Sequence, residues 1–369
     1  MKKTAKLLWL LPLVFVLAGC GVNVQTKTST AVDVGGVFVS ANKGDVWKSM
    51  SLTPSVIGTP GSISFLDVNQ LVIDPQDSGA VYMATDDNGL YYTYNVAKGW
   101  TQITALPTAT INDFSVDPKN KCALYAAIGN KLYKSVDCGR SFGEAYFDNN
   151  PSVQVSAVAI DHYDSNQVYL GTSRGDVLKS LDGGQSWRSI QKLDDGIRKI
   201  LVSPEDSRVV FVATVKSGLY RFNSGIAKSL DELTEYKNKF DGSNWVDLNG
   251  ELKEFDMGIN FKGLVFVPAD NSLFMATDKV LLKSLDNGQS WAKIKLVTPD
   301  NETNINAITI NPKDAKEIYY VTNTTFYKSI DAGNTWIAKQ LVTSRAGSTL
   351  AIDFDNPNIL YLGAKKIKK

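Results

Sequence analysis

Four aspartates recur in one frame, Ser-x-Asp-x-Gly-x-(Ser/Thr)-aromatic, and carboxylates beside hydroxyls are raw material for acid–base chemistry. The copies centre on Asp137 and Gly139, on Asp182, Gly184 and Trp187, on Asp286, Gly288 and Trp291, and on Asp331, Gly333 and Trp336. They are spaced by whole repeats, so each belongs to an equivalent unit and the four cannot converge on one substrate. The frame reads as structural instead. Its Gly supplies a positive φ in a turn, its Asp accepts that turn's N–H groups, and its aromatic ring buries a large apolar face between neighbouring units.

The other reactive side chains are few. His162 is the single histidine, and a Ser–His–Asp site would have to use it from an inter-strand turn. No Cys-x-x-Cys or Cys/His cluster occurs, which excludes a zinc site of the usual kind. No calcium-loop motif is visible, and no cofactor or metal is expected. Cys122 and Cys138 flank a hairpin that turns near Gly129 and Asn130, which sets the two cysteines opposite each other; a disulfide is expected. The charge of +1 becomes slightly negative once Lys2, Lys3 and Lys6 are removed with a leader, and nothing points to nucleic acid. The basic tail at Lys365, Lys366, Lys368 and Lys369 reads as solvated.

The elements that must carry the frame are strands. Degenerate copies end in Trp47, Trp100 and Trp245, and with Phe142 the closing aromatics number seven. Each box is preceded by an apolar run, a turn rich in Asp, Pro and Asn, and a second apolar run, as in residues 157–171 and 307–321. A four-stranded antiparallel blade of roughly 45 residues follows. The last strand pair, near residues 350–354 and 359–363, has no box, and residues 36–47 form a third strand and box with no pair before them. The two halves complete one blade. The chain is thus expected to be all-β: a seven-bladed β-propeller over residues 34–369, its last blade closed by N- and C-terminal strands, which removes exposed sheet edges.

The N-terminus has a basic start, an apolar run from Leu7 to Leu17 and the sequence Leu17-Ala18-Gly19-Cys20. The run is too short to span a bilayer, which takes roughly 20 residues. This resembles a bacterial lipobox, which implies a signal peptide at 1–19, lipidation of Cys20 and a flexible tether over 20–33. The expected location is the bacterial cell envelope, membrane-anchored and outside the cytoplasm, at the outer membrane or cell surface.

The repeated box resembles the Asp-box (BNR) repeat of sialidases, sortilin-type receptors, some xyloglucan hydrolases and the lipid-anchored photosystem II assembly factors of cyanobacteria. The resemblance is specific for fold and poor for function. A sialidase would imply an arginine triad and an Arg-Ile-Pro motif near the start; the motif is absent, and no arginine precedes Arg140. The xyloglucan hydrolases pair two propellers, and this chain has one. The assembly factors are similar in layout, although their basic patch cannot be mapped because the arginines are few and scattered. The expectation is a monomeric, non-catalytic scaffold that binds an unidentified extracytoplasmic protein, with a glycan-binding or sialidase-like propeller as the alternative. Two departures from the repeat stand out. An insertion at Phe222–Asp241, with a short helix over Ala227–Phe240, is either functional or decorative. Residues 246–261 place Phe255, Met257 and Phe261 between blades.

Overall fold

A computed structural model describes residues 34–367, apart from 56–58, 96–97, 217, 224–243, 257, 259 and 300–301. Cys20, the leader, the tether, Met257 and the helix expected at 227–240 lie outside the described residues. Seven four-stranded antiparallel sheets form the fold, with one further two-stranded ribbon, Leu52–Thr53 with Gly61–Ser62. The ribbon has no counterpart in the sequence reading. Blade 1 is Val68–Asp74, Asp77–Thr85, Leu90–Thr93 and Thr101–Gln102, and blades 2 to 6 repeat that order along the chain. Blade 7 takes Ala346–Ile352 and Leu360–Lys365 from the C-terminal end, and Gly36–Ser40 and Lys48–Ser49 from the N-terminal end.

The first strands of the blades form the inner ring: Val68–Asp74, Asp113–Asp117, Val155–Ile160, Ile197–Val202, Phe261–Val267, Ala307–Asn311 and Ala346–Ile352. Each packs against the next, and the last returns to the first, where Ser348 Oγ donates to the Val68 carbonyl at 2.6 Å. Second strands are covered by both neighbouring blades, so they read as unbroken apolar runs; VYLGT, VVFVAT and SLFMAT are almost wholly buried. One hydrophobic cluster joins Ala157, Tyr169 and Val177 of blade 3 to Ile200, Val210 and Trp245 of blade 4. At roughly 25 cal/mol per Å² of apolar surface, such inter-blade seams are the main stabilising contribution. The approach is close: a Cβ on Gly171 would lie 2.4 Å from the Ile197 side chain.

The direction of the strands sorts the loops. First strands run away from one end of the ring, so turns between second and third strands return to that end. Turns between third and fourth strands, which carry the boxes, lie at the other end. Within the expected 246–261 segment, Leu252 and Phe261 are buried in the core, and Phe255 packs on the same cluster.

Candidate functional site

Each box is a closed hydrogen-bond set. In blade 3, Ser180 Oγ donates to Asp182 Oδ1 (2.7 Å) and accepts the Gly184 N–H (2.8 Å). Asp182 also accepts the Ser186 N–H (2.8 Å) and hydroxyl (2.5 Å). The sets at Asp137, Asp286 and Asp331 are the same, and Asn42 holds the degenerate first copy through its Oδ1. Two consecutive left-handed residues build the turn, for example Gly183 and Gly184 at φ 68° and 91°, or Ala332 and Gly333 at 60° and 87°. Burial pushes the Asp182 carboxyl up, but the bonds from Ser186, Ser180 and Gln185 outweigh it and hold it at about 2. At Asp137 the Ser141 hydroxyl and N–H, followed by Ser135, likewise hold the pKa at about 2. Such carboxylates stay ionised and engaged, and they sit on separate blades.

Three of the tryptophans fasten their blade to the one before it, while Trp291 Nε1 donates to Gly288 O of its own box. Trp187 Nε1 donates to Ala145 O of blade 2 (2.8 Å), Trp336 Nε1 to Lys295 O after blade 5 (2.8 Å), and Trp100 Nε1 to Met50 O after blade 7 (2.7 Å). Cys122 and Cys138 are joined as a disulfide, with Cys138 in the left-handed region of its box turn.

The opposite end of the ring opens into the central channel, a cavity of about 640 Å³ lined by residues from all seven inner strands. Five inner strands carry a bulge there, with one residue unpaired: Asn69, Ser156, Arg198, Lys262 and Ser348. Bulges re-aim side chains, and all five line the cavity. Asn112 and Asn306 hold the equivalent places in blades 2 and 6. The ring is therefore Asn, Asn, Ser, Arg, Lys, Asn, Ser.

Three members of this ring fasten the blades. Asn112 Nδ2 donates to Val155 O (2.9 Å), Ser156 Oγ to Ile197 O (2.7 Å) and Ser348 Oγ to Val68 O (2.6 Å), each reaching into the next blade. Asp113 links four blades. Its Oδ1 accepts Gln70 Nε2 at 2.7 Å and lies 3.6 Å from Lys199 Nζ, and its Oδ2 accepts the Val158 N–H at 2.9 Å. Among the described residues it is the one acid lining the cavity, and both of its oxygens are committed. Arg198 and Lys262 differ: among the described residues neither has a hydrogen bond or an ion pair. Lys365, from the end of the second strand of blade 7, joins them in the lining. Burial pushes the Lys262 ammonium down; Asp278 opposes that, and the charges of Lys365 and Arg198 add to it. Four cations thus share one polar mouth, Lys199 facing Asp113 and the other three not.

The sequence reading missed this ring. The arginines are indeed scattered: Arg140 is in a box, Arg174 pairs with Asp148 and Asp176, Arg208 with Asp206, Arg345 with Asp67, and Arg221 donates to Asn287 O. Only Arg198 of the seven lines the mouth. The fold completes a basic patch by adding lysines, including Lys365, which the sequence placed in a solvated tail. A signal was present: a polar residue opens each inner strand. His162 lies in its expected turn, 3.2 Å from Val202 O, with burial pushing its pKa down, far from the mouth lining. Among the described residues, no group of three or more His, Cys, Asp or Glu side chains is placed to hold a metal ion.

No protein-family model matches the chain. A xyloglucanase from Hypocrea jecorina (strain QM6a) is 24% identical over 177 residues, 46% of this chain and 21% of that enzyme. The structure of a GH74 xyloglucanase from Xanthomonas campestris superposes with a TM-score of 0.64 at 18% identity, covering 87% of this chain and 52% of the enzyme. A GH74 enzyme from Niastella koreensis gives 0.60 at 17%, covering 85% and 53%. YCF48 bound to a D1 peptide gives 0.59 at 13%, covering 85% of this chain and 99% of that one. The chain spans about a fifth of the first relative and about half of each hydrolase structure. At these identities the likeness is one of fold, and that fold carries both a peptide-bound protein and glycan hydrolases.

Proposed function

We propose that this chain is a lipid-anchored, extracytoplasmic scaffold that holds a protein partner at the channel mouth without turnover. One observation carries the reading. Among the described residues, the mouth gathers Arg198, Lys262 and Lys365 without a carboxylate in ion-pair contact, while Asp113, the sole acid of the lining, is already fully engaged. Glycoside hydrolysis by the common route needs two carboxyl groups about 5 to 9.5 Å apart. Cations in a concave site of low dielectric focus field and attract an acidic partner. YCF48, a neighbour of matching length, was captured with a peptide, in keeping with this reading.

The similarity to xyloglucanases supports a second reading, a glycan-binding propeller. A crosslinked membrane pull-down with mass spectrometry decides between them. One dominant envelope protein, lost when Arg198 and Lys262 are changed to Gln, is the expected result. Release of reducing ends from xyloglucan or of sialic acid from sialosides would overturn the scaffold reading.

A further inference from the structure

The chain enters the ring at the mouth. Gly36 pairs with Ala364, and Ala364 pairs with Gly347, the neighbour of Ser348 in the polar ring. The described chain therefore begins at the end that presents Arg198, Lys262 and Lys365.

Three exposed apolar side chains stand on the loops around this entry point: Phe65 (60% exposed), Ile367 (49%) and Val342 (44%). Their loops are tied to the entering segment and to each other. Gly35 N–H donates to Ser64 O (2.6 Å), Thr343 Oγ1 to Val34 O (2.6 Å), and Lys366 N–H to Asp67 Oδ1 (2.8 Å). Arg345, buried, donates to Phe65 O at 3.1 Å and holds that loop in place. Lys366 is exposed beside Ile367. Apolar side chains flanked by lysines next to an acylated tether have the make-up of a surface that lies in the headgroup region of a membrane. The box end also exposes apolar residues, such as Val136, Leu285 and Ile330. Those sit one per blade on separate turns, away from the entry point.

We infer that the mouth end of the ring lies against the bilayer, with Phe65, Val342 and Ile367 in the headgroup region. The inference rests on the lipid anchor of the proposed function. It adds an orientation, and with it a partner class: a membrane protein whose short protruding segments reach a mouth that faces the membrane.

The native cysteines leave room for a labelling test. Cys122 and Cys138 are bonded, and Cys20 is the acylated position. Single variants Phe65→Cys, Val342→Cys and, at the box end, Leu285→Cys would each carry one thiol-linked fluorophore. The lipidated full-length protein would be reconstituted in phosphatidylethanolamine–phosphatidylglycerol vesicles containing a headgroup nitroxide lipid. Flotation of the vesicles is read first, then quenching. The expected result is flotation of all three, with quenching at positions 65 and 342 roughly threefold or more above that at 285. Equal quenching at the two ends, or stronger quenching at 285, overturns the orientation while leaving the anchor intact. Absence of flotation overturns the anchor, and the orientation falls with it. Two mouth variants guard against loss of one through misfolding.

Discussion

The two ends of the ring are built from the same strands and treated differently. At the box end the residue types repeat: Ser, Asp, Gly and an aromatic recur, and each box Asp is saturated by its own turn. At the mouth the position repeats, but the residue changes from Asn to Ser to Arg to Lys around the ring. A repeated residue in a closed hydrogen-bond set answers a local need that every blade shares. A repeated position with varied residues, some without partners, is free to serve something outside the chain.

The sharpest way to break this contrast is to damage the seam at the box end and ask whether the mouth notices. Trp100 is fully buried and bonded to Met50 O. Trp100→Ala should cost about 3–5 kcal/mol, seen as an earlier chemical-unfolding midpoint. Partner affinity measured well below the melt should be unchanged. Lost affinity in folded protein would mean that the ends are coupled.

The converse test touches only the mouth. Changing Arg198, Lys262 and Lys365 together to Gln should weaken partner binding by about 100-fold, or ~2.7 kcal/mol, with salt producing the same trend in the unaltered protein. Stability should move by less than about 0.5 kcal/mol, because among the described residues Arg198 and Lys262 make no hydrogen bond or ion pair. A large fall in melting temperature with binding intact would reverse the roles of the two ends.

Acid separates the ends next. The folded-state pKa of Asp182 is depressed to about 2 from its ordinary 3.8. A depressed carboxylate contributes stability that is present above the unfolded value and lost as pH falls through the folded one. The box contribution should therefore fade between about pH 4 and pH 2, and Asp182→Ala should remove it at neutral pH, at a cost of about 1–2 kcal/mol in hydrogen bonds. An acid melt of the variant should show a shallower slope in that window. An unchanged slope would show that the turn does not depend on the charge.

The smallest effect should be a gain. Ala332 sits at φ 60° in the box turn where blade 3 has Gly183. Ala332→Gly should stabilise by about 0.5–1 kcal/mol, since a Cβ is unfavourable in the left-handed region. Calorimetry of the pair would detect it, and a loss of stability would argue that the Ala332 methyl packs usefully.

Much of this protein was legible in one sequence because its fold is local and repetitive. Blade count, strand order and the split last blade follow from box spacing and from the unmatched halves at residues 36–47 and 350–363. The meeting of Cys122 and Cys138 followed from a hairpin turning at Gly129 and Asn130. Each of these depends on neighbours along the chain or on a period that can be counted. The mouth depends on neither. Arg198, Lys262 and Lys365 lie on three blades and at two different strand positions, and nothing in their spacing relates them. Only ring closure brings the starts of seven inner strands round one axis, and only the bulges turn the extra residues inward. The sequence determined the repeat, through turn chemistry and apolar pattern. The tertiary structure decided which charges meet, because their distances are set by the radius of the ring and not by the length of chain between them.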